Sequence, residues 1–380
     1  MNKIGRILLI SVLPFFVVVL VKMIATQDCS VVSEVCSFAK VKKDAVSPKE
    51  ISPKKHVVSV FVHGAILPYP SWNALKQALS KKDFFSTYQK NLRFGLIYKC
   101  QMISDLGLRK VDPQETNGCR TVLLADAYKK VYQGLEQHKN TTFSFYTFGW
   151  DGVMTSKSRK QAGFDLYKAL VEELKKFEMP DTQIVLEVLA HSHGGNVCLN
   201  LATAEQELKK NLIVDRLMLF GTPVVSETSP LVEAGMFKKV YNFYSTGDVI
   251  QVCDIISSKD FHSKRCFEVK DTSKLYQLKV VVGNHNPLHN ELWFLNERDN
   301  LLFRNNLAIT PLPFFVFTPL ITHFIEDNNV PYSDIALRVS KDNADVKCTL
   351  HDLHDKKAQK QVCMLSEYEW FKTDSTVKAA

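Results

Sequence analysis

The chain has 380 residues, of which 46% are hydrophobic and 23% charged, and its formal net charge is +8. That balance is ordinary for a folded protein, and the length accommodates one large domain plus a smaller appendage, so disorder is not the default. No basic run is interleaved with aromatic residues in a way that would track nucleic acid, and the charge supports at most a weak preference for anionic surfaces such as acidic lipid.

The amino terminus reads as an address. Lys3 and Arg6 precede ILLISVLPFFVVVLV, residues 7–21, an uncharged run of 15 residues closed by Lys22. A membrane-spanning helix needs roughly 20 apolar residues and Pro14 interrupts this run, so residues 1–25 are expected to be a signal peptide, with a retained signal anchor as the alternative. Export follows as the expectation, to a periplasm or beyond the cell, with membrane attachment if the segment stays. Residues 26–55 are expected to form a polar linker, because 37–55 hold six lysines, Pro48 and Pro53.

Cysteine spacing points the same way. Of nine cysteines, Cys198 falls on an expected helix as a buried thiol. The other eight form four neighbouring couples: Cys29 with Cys36, Cys100 with Cys119, Cys253 with Cys266, and Cys348 with Cys363. An even set outside the core suits an oxidising compartment, although spacing does not fix the connectivity.

From residue 56 onward, apolar runs alternate with helical patterns. VVSVFV (57–62), FSFYTF (143–148), IVLEVL (184–189), RLMLF (216–220), VYNFYS (240–245) and YQLKVVV (276–282) read as strands, several apolar nearly throughout. Such strands are buried on both faces, as in a parallel sheet covered by helices. LLADAYKKVYQGL (123–135) and the spacing of Leu166, Leu170, Leu174 and Phe177 read as helices between them. The expected fold class is α/β, a doubly wound, mostly parallel sheet over residues 56–305, followed by residues 306–380 as an apolar connector and a small β-rich appendage. In that last part, ITPLPFFVFTPLITHFI (309–325) is apolar and carries three prolines. It reads as a buried connector, with a membrane-facing or substrate-covering element as the alternative. DIALRVS (334–340), VKCTLHD (346–352) and QVCMLSEYEWF (361–371) alternate as strands do, stapled by Cys348 and Cys363. HDLHD (351–355) reads as a solvated loop, with metal binding as the alternative; no cysteine spacing resembles a zinc site, and no cofactor is expected.

Ligands of doubly wound sheets bind at the carboxyl ends of the strands. At one such end lies IVLEVLAHSHGGNVCLNLA (184–202), with Ser192 followed by two glycines. A serine nucleophile on a tight strand-to-helix turn needs small residues two places before and after it, and Ala190 and Gly194 fill those places. VFVHGA (60–65) ends an early strand with His63-Gly64, and the backbone N–H groups of Gly64, Ala65 and His193 are candidates for an oxyanion hole. NFYSTGDVIQ (242–251) puts Asp248 just beyond a strand, with Asp254 as a nearby competitor. VVVGNHNPLHNELW (280–293) puts His285 directly after the last strand of the main domain. His289 is the alternative general base, but Pro287 suits the first turn of a closing helix, which would place His289 inside that helix and leave His285 on the loop.

The order Ser, Asp, His along the chain, each at a different strand end, together with GWDG (149–152) and FGTPV (220–224), resembles the lipase and esterase branch of the α/β-hydrolase superfamily, in particular bacterial lipase-like hydrolases. The resemblance spans about residues 56–300 and departs from the usual Gly-x-Ser-x-Gly at Ala190. It implies acyl transfer: Ser192 as nucleophile, His285 as general base, Asp248 orienting the imidazole, an acyl-enzyme released by water, an ester or lipid substrate, contact with a membrane surface, and no cofactor. The neighbours His191 and His193 are expected to be packing or pocket residues, as is Trp150. The alternative reading is a hydrolase fold without catalysis, serving in binding or surface attachment.

Overall fold

The structure, a computed structural model, describes residues 54–65, 106–111, 120–135, 141–252, 262–269, 273–289, 291–293, 314–330, 334–342, 345–353 and 361–364. Residues 1–53, which include the expected signal segment and nearly all of the expected linker, the segment after residue 364, and Cys100, Cys119, Cys253 and Asp254 lie outside these residues.

Ten strands form one sheet: β1 (Lys54–Val62), β2 (Gly107–Lys110), β3 (Thr142–Gly149), β4 (Thr182–His191), β5 (Val214–Phe220), β6 (Phe237–Tyr244), β7 (Leu275–Val282), β8 (Asp334–Asp342), β9 (Asp345–Asp352) and β10 (Gln361–Met364). Their spatial order is β10-β9-β8-β7-β6-β5-β4-β1-β3-β2. Every pairing from β3 through β8 is parallel, and only β2, β9 and β10 at the two edges run antiparallel to their neighbours. The chain is therefore α/β with a mostly parallel mixed sheet. The parallel order reverses at β1, with β3 on one side and β4 on the other, which makes the carboxyl ends of β1 and β4 the switch point at which ligands of such sheets bind.

The apolar runs explain this sheet. In β1, Val58, Val60 and Val62 face a core with Leu166, Tyr167 and Leu170 of α2 (Ser156–Leu174), Val197, Cys198 and Leu199 of α3 (His193–Leu199), and Leu201, Ala202 and Ala204 of α4 (Leu201–Leu208). Val57 and Phe61 face the opposite core, with Leu124, Tyr128 and Val131 of α1 (Arg120–Gly134) and Leu320, Ile321 and Ile325 of α5 (Thr318–Asp327). Side chains alternate across a strand, so a strand apolar at nearly every position fills both cores. Thr155 caps α2, its hydroxyl accepting from Ser158 N at 3.2 Å.

The expected C-terminal strands are present at 334–342, 345–352 and 361–364, and they continue the main sheet, with β8 parallel to β7. The apolar segment before them is buried where it is described: Phe315, Val316, Ile321 and Ile325 are at most 1% exposed. Among the described residues no helix is long and apolar enough to cross a membrane. The register of β9 and β10 sets Cys348 opposite Cys363, and no disulfide joins described residues.

One row of polar side chains crosses the α1–α5 face of the sheet: Ser59, Glu187, Arg216 and Lys239 stand side by side on β1, β4, β5 and β6. Glu187 is 1% exposed and accepts from Ser59, Tyr128, Tyr132 and Arg216. Arg216 also grips Glu326 of α5 in a two-pronged pair at 2.8 and 2.6 Å. Hydrogen bonds from Arg216 and Tyr241 outweigh burial and hold the Glu326 carboxyl down at about 2. Removing one member of a buried charge network strands its partners. Arg216→Met leaves the buried Glu187 carboxylate without its Arg216 ion pair and Glu326 with the longer Lys239 contact at 3.7 Å, and is expected to cost about 3–5 kcal/mol in urea unfolding, more than Glu326→Gln, which leaves Arg216 its bond to Glu187. Because the folded carboxyl titrates below its ordinary value of 4.5, the contribution of Glu326 is present above pH 4.5 and is lost as pH falls toward about 2.

Candidate active site

Ser192 sits between β4 and α3 with φ 52° and ψ −132°, a conformation that non-glycine residues rarely adopt and that costs on the order of 1–3 kcal/mol. The surroundings enforce it. Ser192 N donates to Phe220 O at 2.9 Å, and Ser192 O accepts from Gly195 N at 2.9 Å. The requirement for small neighbours is visible in the contacts: a Cβ on Gly194 would lie 2.4 Å from the carbonyl oxygen of His63.

The strained turn aims the serine at His289. His289 Nε2 lies 2.9 Å from Ser192 Oγ, and His289 Nδ1 lies 2.8 Å from Asp248 Oδ2. A carboxylate only accepts, so the ring proton is on Nδ1 and Nε2 presents a lone pair to the serine hydroxyl. Ser192, His289 and Asp248 are 6%, 8% and 1% exposed, so the relay is shielded from bulk water. Asp248 is held in turn by Gln251 N, which donates to Oδ1 at 2.9 Å. Arg265 braces the same loop through the carbonyls of Ser245 and Asp248 at 2.9 and 2.7 Å. Gly221, at φ 58°, lets the β5 end pass beneath the pair: a Cβ there would come within 2.9 Å of Asp248 Oδ2 and 3.3 Å of His289 Nδ1.

The histidine expected to complete this relay was His285, and the structure puts it elsewhere. His285 turns back onto β7 in a bridge with Val282, and its Nε2 binds Glu291 Oε2 at 2.6 Å. The reason is local. No helix begins at Pro287: residues 286–288 are irregular, and His289 lies in a turn whose direction no helix axis dictates. Glu291 also accepts from Leu288 N at 2.7 Å, closing the loop around His289. Gly64 and Ala65 follow His63 just beyond β1, a Cβ on Gly64 would be 2.8 Å from Ser192 Cβ, and His193 opens α3 next to the serine.

His191 and His193, expected to be packing or pocket residues, both make directed contacts. His191 Nε2–H donates to the carbonyl of His289 at 3.1 Å, and its ring stacks on Trp293 at 5.7 Å, tying the histidine loop to the serine strand. His193 Nδ1 lies between Arg159 Nη1 at 3.3 Å and Asn196 Nδ2 at 3.4 Å. Repetition of His around Ser192 was the available signal; the partners lie 98 and 34 residues away in sequence.

No protein-family model matches the chain, and no curated protein matches it. Chemically, the arrangement pairs a hydroxyl with a base that can take its proton and a carboxylate that can stabilise the resulting cation. Among the described residues no group of His, Cys, Asp or Glu could hold a metal ion.

Burial holds His191 and His193 well below the ordinary histidine value of 6.5, with His289 and Arg159 respectively adding repulsion. In the unfolded chain both take a proton as pH falls through 6.5, while in the folded chain they do not, so the unfolded state binds more protons there. Thermal stability is therefore expected to fall on acidification below about pH 6.5, and His191→Gln, which cannot titrate, is expected to flatten that fall. An unchanged slope in His191→Gln scans over this range would contradict the assignment of a buried, neutral ring.

Proposed function

We propose that this chain is a serine hydrolase of carboxylic esters built on the α/β-hydrolase fold, working through an acyl-enzyme. The observation that supports this reading above others is the continuous path from Ser192 Oγ through His289 to Asp248, at 2.9 and 2.8 Å, on a serine held at φ 52°. Strain of that kind persists only where the surroundings over-determine it, and a purely structural turn would be relieved by glycine.

In the proposed reaction, Ser192 Oγ attacks the ester carbonyl while His289 Nε2 takes its proton. Asp248 keeps the other ring nitrogen protonated and stabilises the imidazolium. His289 then returns the proton to the departing alcohol, and a water molecule activated by the same nitrogen releases the acid. Peptide N–H groups at the end of β1 and the start of α3 are the proposed donors to the oxyanion. No step calls for a metal or an organic cofactor. The apolar segment at residues 7–21 and the cysteine couples support export, and lipid-like esters are the proposed substrates of a protein carrying net charge +8 near a membrane.

A fluorophosphonate probe is expected to label the protein on Ser192, and Ser192→Ala is expected to abolish both labelling and turnover of p-nitrophenyl esters. Retention of turnover within about tenfold of the parent would contradict the nucleophile. For the base, His289→Gln is expected to lower kcat by about a thousandfold or more, with His285→Gln staying within about tenfold. The reverse pattern in matched, folded proteins would return the role to His285.

A further inference from the structure

His63, at the end of β1, is fully buried beside the relay without belonging to it, and both of its ring nitrogens are engaged. The backbone N–H of Trp150 donates to His63 Nε2 at 3.2 Å. That nitrogen must therefore present its lone pair, which leaves the ring proton on Nδ1. Nδ1 lies 2.7 Å from the carbonyl oxygen of Gly64, an acceptor, so the same tautomer satisfies both contacts. The ring has little freedom to turn away. The Trp150 indole stacks on it at 5.8 Å and 18°, and indole Nε1 donates to the carbonyl of His63 itself at 2.8 Å.

We infer that His63 is a positioning residue for the oxyanion site: by holding the Gly64 carbonyl it fixes the Gly64–Ala65 peptide with the Ala65 N–H directed to the opposite side, toward the acyl oxygen. This rests on the ester-hydrolase reading. No peptide bond among the described residues is cis, and in a trans peptide the C=O and N–H point in opposite directions. A carbonyl tied back to His63 therefore sets the heading of the next N–H. The lock matters because a peptide next to glycine is the easiest to flip, having no Cβ to restrict it. Glycine is nonetheless required there, since a Cβ on Gly64 would lie 2.8 Å from Ser192 Cβ and 3.1 Å from His191 Nδ1. The GWDG turn gains a purpose: Trp150, arriving from β3 on the neighbouring strand, fixes the ring that fixes the peptide.

Asparagine carries its side-chain nitrogen, a donor, as many bonds from the backbone as His Nδ1, and glutamine carries its side-chain oxygen, an acceptor, as many as His Nε2, so asparagine keeps the bond to the Gly64 carbonyl and glutamine the bond from Trp150 N. Oxyanion donors act on charge that develops in the transition state, so their loss lowers kcat and spares KM. With p-nitrophenyl acetate, His63→Gln is expected to lower kcat by about tenfold to a hundredfold with KM within about twofold, and His63→Asn to recover kcat to within about threefold of the parent. A parental kcat in His63→Gln, or a His63→Asn as slow as His63→Gln, overturns the inference while Ser192-dependent turnover by the parent leaves the hydrolase reading standing. A parent without Ser192-dependent turnover overturns both. Should either variant fail to fold, nitrogen chemical shifts of histidine-labelled parent protein decide: a proton on Nδ1 of His63 is expected, and a proton on Nε2 overturns the proposal.

Discussion

A serine held at φ 52° between a strand and a helix is the constraint around which the rest of this structure is arranged. Such a backbone survives only if neighbours leave no lower-energy alternative. Here the alternatives are closed by hydrogen bonds to Phe220 and Gly195 and by the contact of Gly194 with the end of β1. The turn could not be this tight with a side chain at Gly194, nor rigid without strands apolar on both faces beneath it. Two buried cores, one on each face of the sheet, thus support one requirement: an oxygen that leaves the strand end at a set angle.

Around that oxygen, rigidity comes from loops bound to each other rather than from single elements. The β7 loop that carries His289 is tied to the serine strand by His191, to itself by Glu291, and to the Asp248 loop where a Cβ on Gly247 would lie 2.2 Å from Asn286 O. The Asp248 loop is tied to the β5 end by Gln251, which donates to Thr222 O at 2.8 Å. On the far side of the sheet the row Ser59, Glu187, Arg216 and Lys239 fastens α5 to the central strands. Buried charges are a costly way to join elements, and apolar residues of similar volume would often serve as well. Their paired geometry does select one docking position for α5 on the sheet.

Apolar runs made the central strands legible, because a strand covered on both faces must be hydrophobic at nearly every position, and β1 and β3 to β7 lie where those runs fall. β2 escaped because Gly107–Lys110 is short, carries Arg109 and Lys110, and sits on an edge where no apolar alternation is needed. Ser192 was legible from its small neighbours, and Asp248 from its place after a strand. His289 rather than the expected His285 meets Ser192, because proline is compatible with a helix start without causing one. The choice between two histidines four residues apart is made by the turn after β7, which depends on Glu291 and on contacts with His191 from a distant strand. The role of Trp150 was invisible for a similar reason: its indole reads as packing until the partner, the His63 carbonyl, is seen 87 residues away in sequence.

The proposed ester hydrolysis requires a covalent intermediate at one oxygen, Ser192 Oγ. Acid quenching during turnover of p-nitrophenyl acetate, followed by mass spectrometry of proteolytic peptides, measures it directly. The account predicts one acetyl group on the peptide containing Ser192, accumulating to near stoichiometry with a matching burst of p-nitrophenolate. Steady turnover with Ser192 unmodified at every quench time, or acetyl transfer to another residue in its place, would contradict it.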